Sequence, residues 1–166
     1  MPLSLPQSER AAVFRTLVQI LRNDPILANI VKTWLAWTGG PNDAADLGVN
    51  LAPAIRLTPV GAGDKWLAPD SMIGPLFLDL EILVAGHNTD DLDNLWRAVI
   101  AAIYAPTQTT FAANQALLRA AGAFPPSPMF TVPAFDPQPD ITYLHSHSQI
   151  RVMVQTQLGS RGVSNT

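Results

Sequence analysis

The segment from Pro53 to Tyr104 decides the fold: it reads PAIRLTPV at residues 53–60 and GPLFLDLEILVAGHNTDDLDNLWRAVIAAIY at residues 74–104. Between Pro75 and Ala85, side chains alternate in the way typical of a strand with two different faces. After a turn at Gly86, apolar residues recur at the spacing of an amphipathic helix. The segment therefore predicts two strands followed by a helix, and none of these elements carries a catalytic motif.

The strand predicted over Pro75 to Ala85 has one aliphatic face, which predicts a core face. That face consists of Leu76, Leu78, Leu80, Ile82 and Val84. The opposite face mixes acids with apolar side chains, which is unusual for a solvent-exposed face and favours a contact surface. It consists of Phe77, Asp79, Glu81 and Leu83.

The preceding strand is predicted from Leu51 to Val60, with Arg56 facing away from the core. Arg56 is then placed to form an ion pair with Asp79 or Glu81 across the sheet. An alternative is that the two acids, at i and i+2, form a glycosidase-type carboxylate pair. We favour the ion pair. Because Pro53 and Pro59 bracket the strand, it is expected to be short or to lie at an edge.

Four helical segments follow from capping and periodicity. These are a helix capped by Ser8, a helix from Pro25 to Trp37 capped by Asp24, a helix capped by Thr89, and a helix from Thr109 or Thr110 to Ala121 ended by Gly122. The acids Asp90, Asp91 and Asp93 then lie in a first turn, where the helix dipole favours negative charge. We therefore interpret them as helix-stabilising residues and not as a metal or catalytic site.

The remaining segments are predicted as connections and a final strand. Residues 61–74 are expected to be a loop, and residues 123–140, with six prolines, an extended arm instead of packed secondary structure. A last strand is predicted from Gln149 to Leu158, and residues 159–166 form a flexible tail. We expect a single domain over residues 1–166, with its core formed by 8–122 and 141–158.

These elements predict an α+β fold: a small, mainly antiparallel sheet with helices packed on one face, plus the Pro-rich extended arm. The chain has 166 residues, a net charge of -3 and no cysteine, which excludes disulfides and thiolate sites. Only 14% of residues are charged, against roughly 25% in typical soluble domains, which favours a surface partly covered by partners.

The sequence does not favour binding to nucleic acid or to a membrane. Lysines and arginines are scattered, so we expect no specific grip on nucleic acid, although DNA could pass through a weakly acidic channel. The start of the chain lacks the pattern of a signal peptide, and the longest apolar run is too short to span a membrane. We therefore expect a soluble, cytoplasmic protein.

Two histidines form the strongest candidate for chemistry. His145 and His147 lie at i and i+2, so on a strand they would share a face and could bind a transition metal. No third ligand lies near them in sequence, and His87 is a distant candidate. We interpret the pair as part of a polar strand start, and predict no metal, no cofactor and no catalytic residue.

The order of the elements resembles the tail terminator (tail-completion) proteins of tailed bacteriophages: an N-terminal helix, the PAIRLTP and GPLFLDLEILVAG strands, the DDLDNLWRAVIAAIY helix and a late strand. The resemblance covers residues 8–104 and 148–158. It implies a hexameric ring at the virion neck, assembled in the host cytoplasm, that caps the tail tube. The implied partners are the tail tube protein, the head-side connector or stopper protein and the tail sheath.

The resemblance also implies which residues meet neighbouring subunits or rings, namely those on the outer sheet face, in the long loop and in the arm. They are Arg56, Lys65, Trp66, Leu67, Phe77, Asp79, Glu81, Leu83, Pro126, Met129, Phe130 and Phe135. Three alternatives stay open. One is a stopper or head-completion protein of the same neck, another is a small metal-dependent hydrolase using His87, His145, His147 and nearby acids, and the third is a ligand-binding domain.

Overall fold

The structure, a computed structural model, describes residues 8–36, 51–62, 65–68, 71–86, 88–104, 108–125, 128–131, 134–136 and 143–157. Within these ranges the chain has the predicted α+β fold. The helices are α1 (Glu9–Asn23), α2 (Pro25–Ile30), α3 (Thr89–Tyr104) and α4 (Gln108–Ala121). Among these helices, none combines the length and the apolar character that crossing a bilayer requires.

The strands are β1 (Thr33–Ala36), β2 (Ala54–Ala62), β3 (Lys65–Ala68), β4 (Ser71–Ala85), β5 (Met129–Phe130), β6 (Ala134–Asp136) and β7 (Tyr143–Gln157). They form one sheet in the order β1-β2-β4-β7-β5, with β3 paired to β4 and β6 paired to β7. The pairing of β1 with β2 is parallel and the others are antiparallel, so the sheet is mainly antiparallel, as predicted.

The two long strands, β4 and β7, form the centre of the sheet. They pair over their whole lengths, from Ser71 opposite Gln157 to Ala85 opposite Tyr143. Because side chains alternate along a strand, this register fixes which residues of the two strands share a face. The sheet is therefore a stiff platform on which side chains from distant parts of the sequence stand side by side.

Helices cover one face of this sheet. Helix α3 packs on β4 and β7, α1 also contacts β7, and α2 and α4 pack on these two helices. The aliphatic face predicted for β4 lies in the resulting core, together with the core residues of its neighbours Ile55, Leu57, Ile150, Val152 and Val154. The predicted helical stripe of α3 is confirmed by the burial of Leu92, Leu95, Val99 and Ile103. We call the opposite face the outer face.

The predicted N-caps of α1 and α2 are confirmed, and the predicted N-cap of α3 is wrong. The Ser8 side chain accepts a hydrogen bond from the Ala11 N–H, and Asp24 accepts from the Ile26 and Leu27 N–H groups. Helix α3 begins differently from the prediction, because Asn88 and not Thr89 accepts from the Asp90 N–H.

The predicted helix from Pro25 to Trp37 is wrong beyond Ile30. Helix α2 ends there, and Thr33–Ala36 form strand β1 instead. The Lys32 and Thr33 N–H groups donate to the Pro53 carbonyl, and β1 then pairs in parallel with Ala54–Leu57. This long-range pairing outweighs the helical spacing of the local sequence. Trp37 lies outside the described residues.

The prediction that β2 is short or lies at an edge is also wrong, because β2 has nine residues and β1 pairs with its first half. Pro59 is accommodated because it lies past the last residue that β1 reaches, Leu57, and at a register shift against β4. The prediction of a loop over residues 61–74 is wrong for the described residues of that range, which form strands: β2 extends to Ala62, β3 pairs with β4, and β4 begins at Ser71.

Described residues of the Pro-rich arm form short extended strands, and the prediction that the arm stays outside the packed structure is wrong for them. Met129–Phe130 and Ala134–Asp136 pair with β7, and Ala123 forms a bridge to Val154. The Tyr104 hydroxyl donates to the Pro128 carbonyl, and burial raises the pKa of this tyrosine. The arm therefore supplies one edge of the sheet.

Strand β7 begins at Tyr143, earlier than the predicted Gln149, and Leu158 lies outside the described residues. The early part of β7 shows no apolar alternation because serines occupy its core side: Ser146 and Ser148 are both buried. His145 and His147 consequently lie within the strand, facing away from those serines.

Candidate functional site

A cluster of charged and titratable side chains lies in the middle of the outer face. The strand register places Arg56 on β2, Glu81 on β4 and His147 on β7 in one row across the sheet. His145 lies two residues before His147 and therefore on the same face, opposite Leu83. We call Arg56, Glu81, His145 and His147 the outer-face cluster.

Arg56 and Glu81 form the ion pair predicted from the sequence. The Arg56 Nη2 donates to Glu81 Oε1 at 2.7 Å, and the Arg56 Nε donates to Glu81 Oε2. Two parallel bonds of this kind fix the carboxylate in orientation as well as in position. The Glu81 side chain is only 9% exposed, so the pair joins β2 to β4 largely away from water.

The surroundings of Glu81 keep its carboxylate ionised. Burial by itself would raise the pKa, but hydrogen bonds from His145 and Arg56, with the charges of Arg56 and His147, lower the pKa from 4.5 to about 2. Glu81 thus carries a negative charge throughout the physiological pH range. The Glu81 carboxylate is therefore the anion at the centre of the cluster, and the side-chain nitrogens of Arg56, His145 and His147 lie around it.

The two histidines bring their ring nitrogens to the same carboxylate oxygen. His145 Nε2 lies 3.3 Å from Glu81 Oε1, and His147 Nδ1 lies 3.9 Å from it. The two imidazole rings meet edge to face, with their centroids 4.2 Å apart. The His147 side chain is 46% exposed, so the cluster opens to solvent on this side.

Glu81 is the third potential metal ligand that the sequence interpretation missed. One donor atom each from Glu81, His145 and His147 lies within 4.8 Å of the others. The sequence shows an acid on the outward side of β4 and a His-x-His pair. It does not reveal the pairing of β4 with β7 that brings them together. His87, the candidate considered from sequence, lies outside the described residues.

The other residues predicted on the outer face occupy different positions. Phe77 and Asp79 lie half-buried on β4, and the Arg151 guanidinium stands 6.0 Å from the centre of the Phe77 ring. Leu83 is completely buried against Ala54 in a small second cluster, with Leu35, Leu51 and Ala52 around it. Leu83 is therefore not exposed for contact in the isolated chain.

The arm and β3 residues of the prediction are only partly described. Met129 is exposed, whereas Phe130 packs against the core and against the Tyr104 ring. Lys65, Trp66 and Leu67 lie in β3, and Phe135 lies in β6, but their side chains lie outside the described part of the chain. Pro126 is also outside it. The role of all these residues as contacts stays a prediction.

Two separate exposed apolar patches lie on the molecule, one between α2 and α3 beside the end of β4 and one at the β5 edge of the sheet. Sequence reasoning did not identify the first. That patch, near β1 and β2, contains Ile26 and Ile30, the latter 49% exposed. They line a cavity of about 470 Å³ together with Pro53, Val84, Ala85, Asp91, Asn94, Leu95 and Ala98. We call it the α2 patch.

The second patch lies beside β7, at the edge that β5 forms. It contains Phe124 and Met129, and Met129 is 55% exposed. The Phe124 N–H donates to the Met153 carbonyl and Met129 pairs with Arg151, so both residues are fixed to the sheet. We call it the β5 patch.

Comparisons with known proteins provide little information about the function of this site. No family model matches the chain, and no curated protein matches it. Among solved structures, a chain from the virion of native gene transfer agent (GTA) particle is similar, with a TM-score of 0.48 and 14% identity. The similarity covers 87% of this chain and 95% of that one. At this TM-score and identity, it assigns neither a family nor a function.

Proposed function

We propose that this chain is a structural subunit of a phage-like virion, which assembles with copies of itself into a hexameric ring at the neck and caps the tail tube. The observation that supports it most is a pair of separate exposed apolar patches, one between α2 and α3 beside the end of β4 and one at the β5 edge of the sheet. Contiguous exposed apolar surface on a small domain is typical of protein contacts. The element order adds the resemblance to tail terminator proteins.

The positions of the two patches favour a head-to-tail contact. The α2 patch offers a cavity of about 470 Å³, and the β5 patch offers the protruding apolar side chains Phe124 and Met129. A contact between two different patches is heterologous, and copies joined this way close into a ring when the rotation between them fits. A closed ring leaves no free patch, so growth within its plane stops.

In this proposal, the outer face contacts the neighbouring rings. The sheet presents Asp79, Phe77 and Arg151 on a rigid ladder, and arginine and aromatic residues are enriched in interfaces. The Arg56–Glu81 pair holds this face in shape. The ring would contact the last ring of the tail tube on one side and the head-side connector on the other. Tail growth would end because the ring presents a different surface from the one that was copied.

A mixing experiment tests the head-to-tail contact. Ile30→Asp places a charge in the α2 patch, and Met129→Asp places one in the β5 patch; each residue is exposed, so the fold is expected to survive. We expect each variant alone to be monomeric in light scattering. An equimolar mixture is expected to form a heterodimer and no ring. The unaltered patches are the β5 patch of Ile30→Asp and the α2 patch of Met129→Asp, and these can form one contact between the two variants.

Leu117→Asp is the matched control, since Leu117 is an exposed apolar residue outside both patches. This variant is expected to assemble like the unmodified chain. If the two patch variants, correctly folded by circular dichroism, assemble as the unmodified chain does, or if their mixture stays monomeric, the head-to-tail contact is refuted.

A second assay tests the capping role. Tail tube protein is polymerised with and without the unmodified chain, and tube lengths are measured by electron microscopy. We expect growth to stop with one ring at the tube end, and we expect Ile30→Asp to lose this effect. Tubes that grow to the same length in the presence of assembled rings would contradict the terminator role and favour a stopper position above it.

A further inference from the structure

We propose that Glu81, His145 and His147 form a binding site for a divalent first-row transition metal ion, Zn²⁺ being the best match, on the outer face of the sheet. The site goes beyond the proposed ring and does not depend on it. It rests on three donor groups from two adjacent strands whose ligand atoms lie within 4.8 Å of one another.

The donor set fits Zn²⁺ chemically. Two imidazoles and one carboxylate are a known three-ligand set for this ion, which binds such atoms at about 2.0–2.2 Å. Tetrahedral coordination at that bond length places ligand atoms roughly 3.4 Å apart. The distances from Glu81 Oε1 to the two histidine nitrogens are 3.3 and 3.9 Å, and all three ligand atoms lie within 4.8 Å of one another, so side-chain rotation has to bring them closer around an ion.

The sheet organises these ligands before any ion binds. Glu81 and His147 are direct partners in the β4–β7 ladder, and His145 lies two residues away on the same face. Because the backbone positions are fixed, binding requires little ordering of the chain. The exposed side of His147 gives the ion a route from solvent and leaves a fourth position for water or for a donor from another molecule.

Arg56 is the group that limits the affinity. Its guanidinium donates hydrogen bonds to both carboxylate oxygens of Glu81, and Oε1 is also the oxygen that the histidines approach. A carboxylate oxygen has two lone pairs, so Oε1 can accept from Arg56 and bind an ion at the same time. Arg56 then acts as an outer-shell partner that orients the ligand, while its positive charge weakens the attraction for a second cation.

The test uses the full chain without a polyhistidine tag, freed of metal by chelation. Zn²⁺ is titrated by calorimetry, and Co²⁺ is titrated by its visible absorption, which reports tetrahedral coordination. We expect one ion per chain. His147→Ala is expected to weaken binding at least about tenfold. Loss of an outer-shell partner typically lowers metal affinity by about that factor, and loss of a direct ligand should lower it no less. Gln149→Ala, two residues along the same strand face, and Asp79→Asn, the neighbouring acid, are expected to bind as the unmodified chain does.

A second measurement needs no substitution. The chain has three histidines, so imidazole nitrogen signals are few enough to follow by NMR during the Zn²⁺ titration. We expect the His145 and His147 ring signals to shift together and saturate at one equivalent. Zn²⁺ that leaves both signals in place, or binding that His147→Ala does not weaken in a folded variant, would overturn the proposal.

Discussion

Replacing Glu81 by glutamine should destabilise the protein by about 3 kcal/mol at neutral pH. The native environment lowers the pKa of Glu81 from 4.5 to about 2. At about 1.4 kcal/mol per pKa unit, this shift corresponds to roughly 3 kcal/mol of stabilisation of the ionised form in the folded state. Glutamine keeps the shape of the side chain but removes the negative charge that the Arg56 guanidinium pairs with in a largely buried position.

The loss should depend on pH in one direction. Because the folded-state pKa is lowered, the contribution of Glu81 is fully present above pH 4.5 and disappears as the pH falls towards about 2. Urea unfolding of the two proteins at a series of pH values, with a chelator present, measures the difference. Asp79→Asn, on the same face of β4, is the control and should change stability by less than about 0.5 kcal/mol. A Glu81→Gln difference that is below about 0.5 kcal/mol at pH 7, or that is equal at pH 7 and pH 3, would refute the reasoning.

Three further substitutions test the packing, each by urea unfolding at pH 7. Asn114→Ala removes the side-chain amide that donates to the Ala102 and Ile103 carbonyls, and should cost about 1–3 kcal/mol. Gly122→Ala should cost at least about 1 kcal/mol, because φ is +113° and a Cβ would lie 2.9 Å from Glu9 Cβ. Leu83→Ala should cost about 2–5 kcal/mol because Leu83 is buried in the core. A loss near zero would contradict this and support the predicted role of Leu83 as a contact residue.

The parts of the fold that follow local periodicity were predictable. The alternation of β4 and the helical stripe of α3 each report which face is buried, and both faces are as predicted. The α+β class follows from these two elements. Strand β1 was not predictable, because the residues that hold it, Pro53 and Ala54–Leu57, lie far along the chain and local spacing favoured a helix.

The same limit applies to the outer-face cluster. The Arg56–Glu81 pair was predictable because both residues lie on the outer side of strands that are near neighbours in sequence. The approach of the two histidines to Glu81 depends on the register of β4 against β7, which no feature of either segment reveals alone. The buried Ser146 and Ser148 also hide the start of β7, since serine gives no apolar signal.

Symmetry of the purified assembly tests the proposed ring most directly. The full chain, concentrated to tens of micromolar and imaged by negative-stain electron microscopy with native mass spectrometry on the same sample, should give closed rings with six-fold symmetry and the mass of six 17.9 kDa chains. A single 17.9 kDa species at every concentration, with tail tube protein present or absent, would contradict the proposal that this chain acts by fitting against copies of itself.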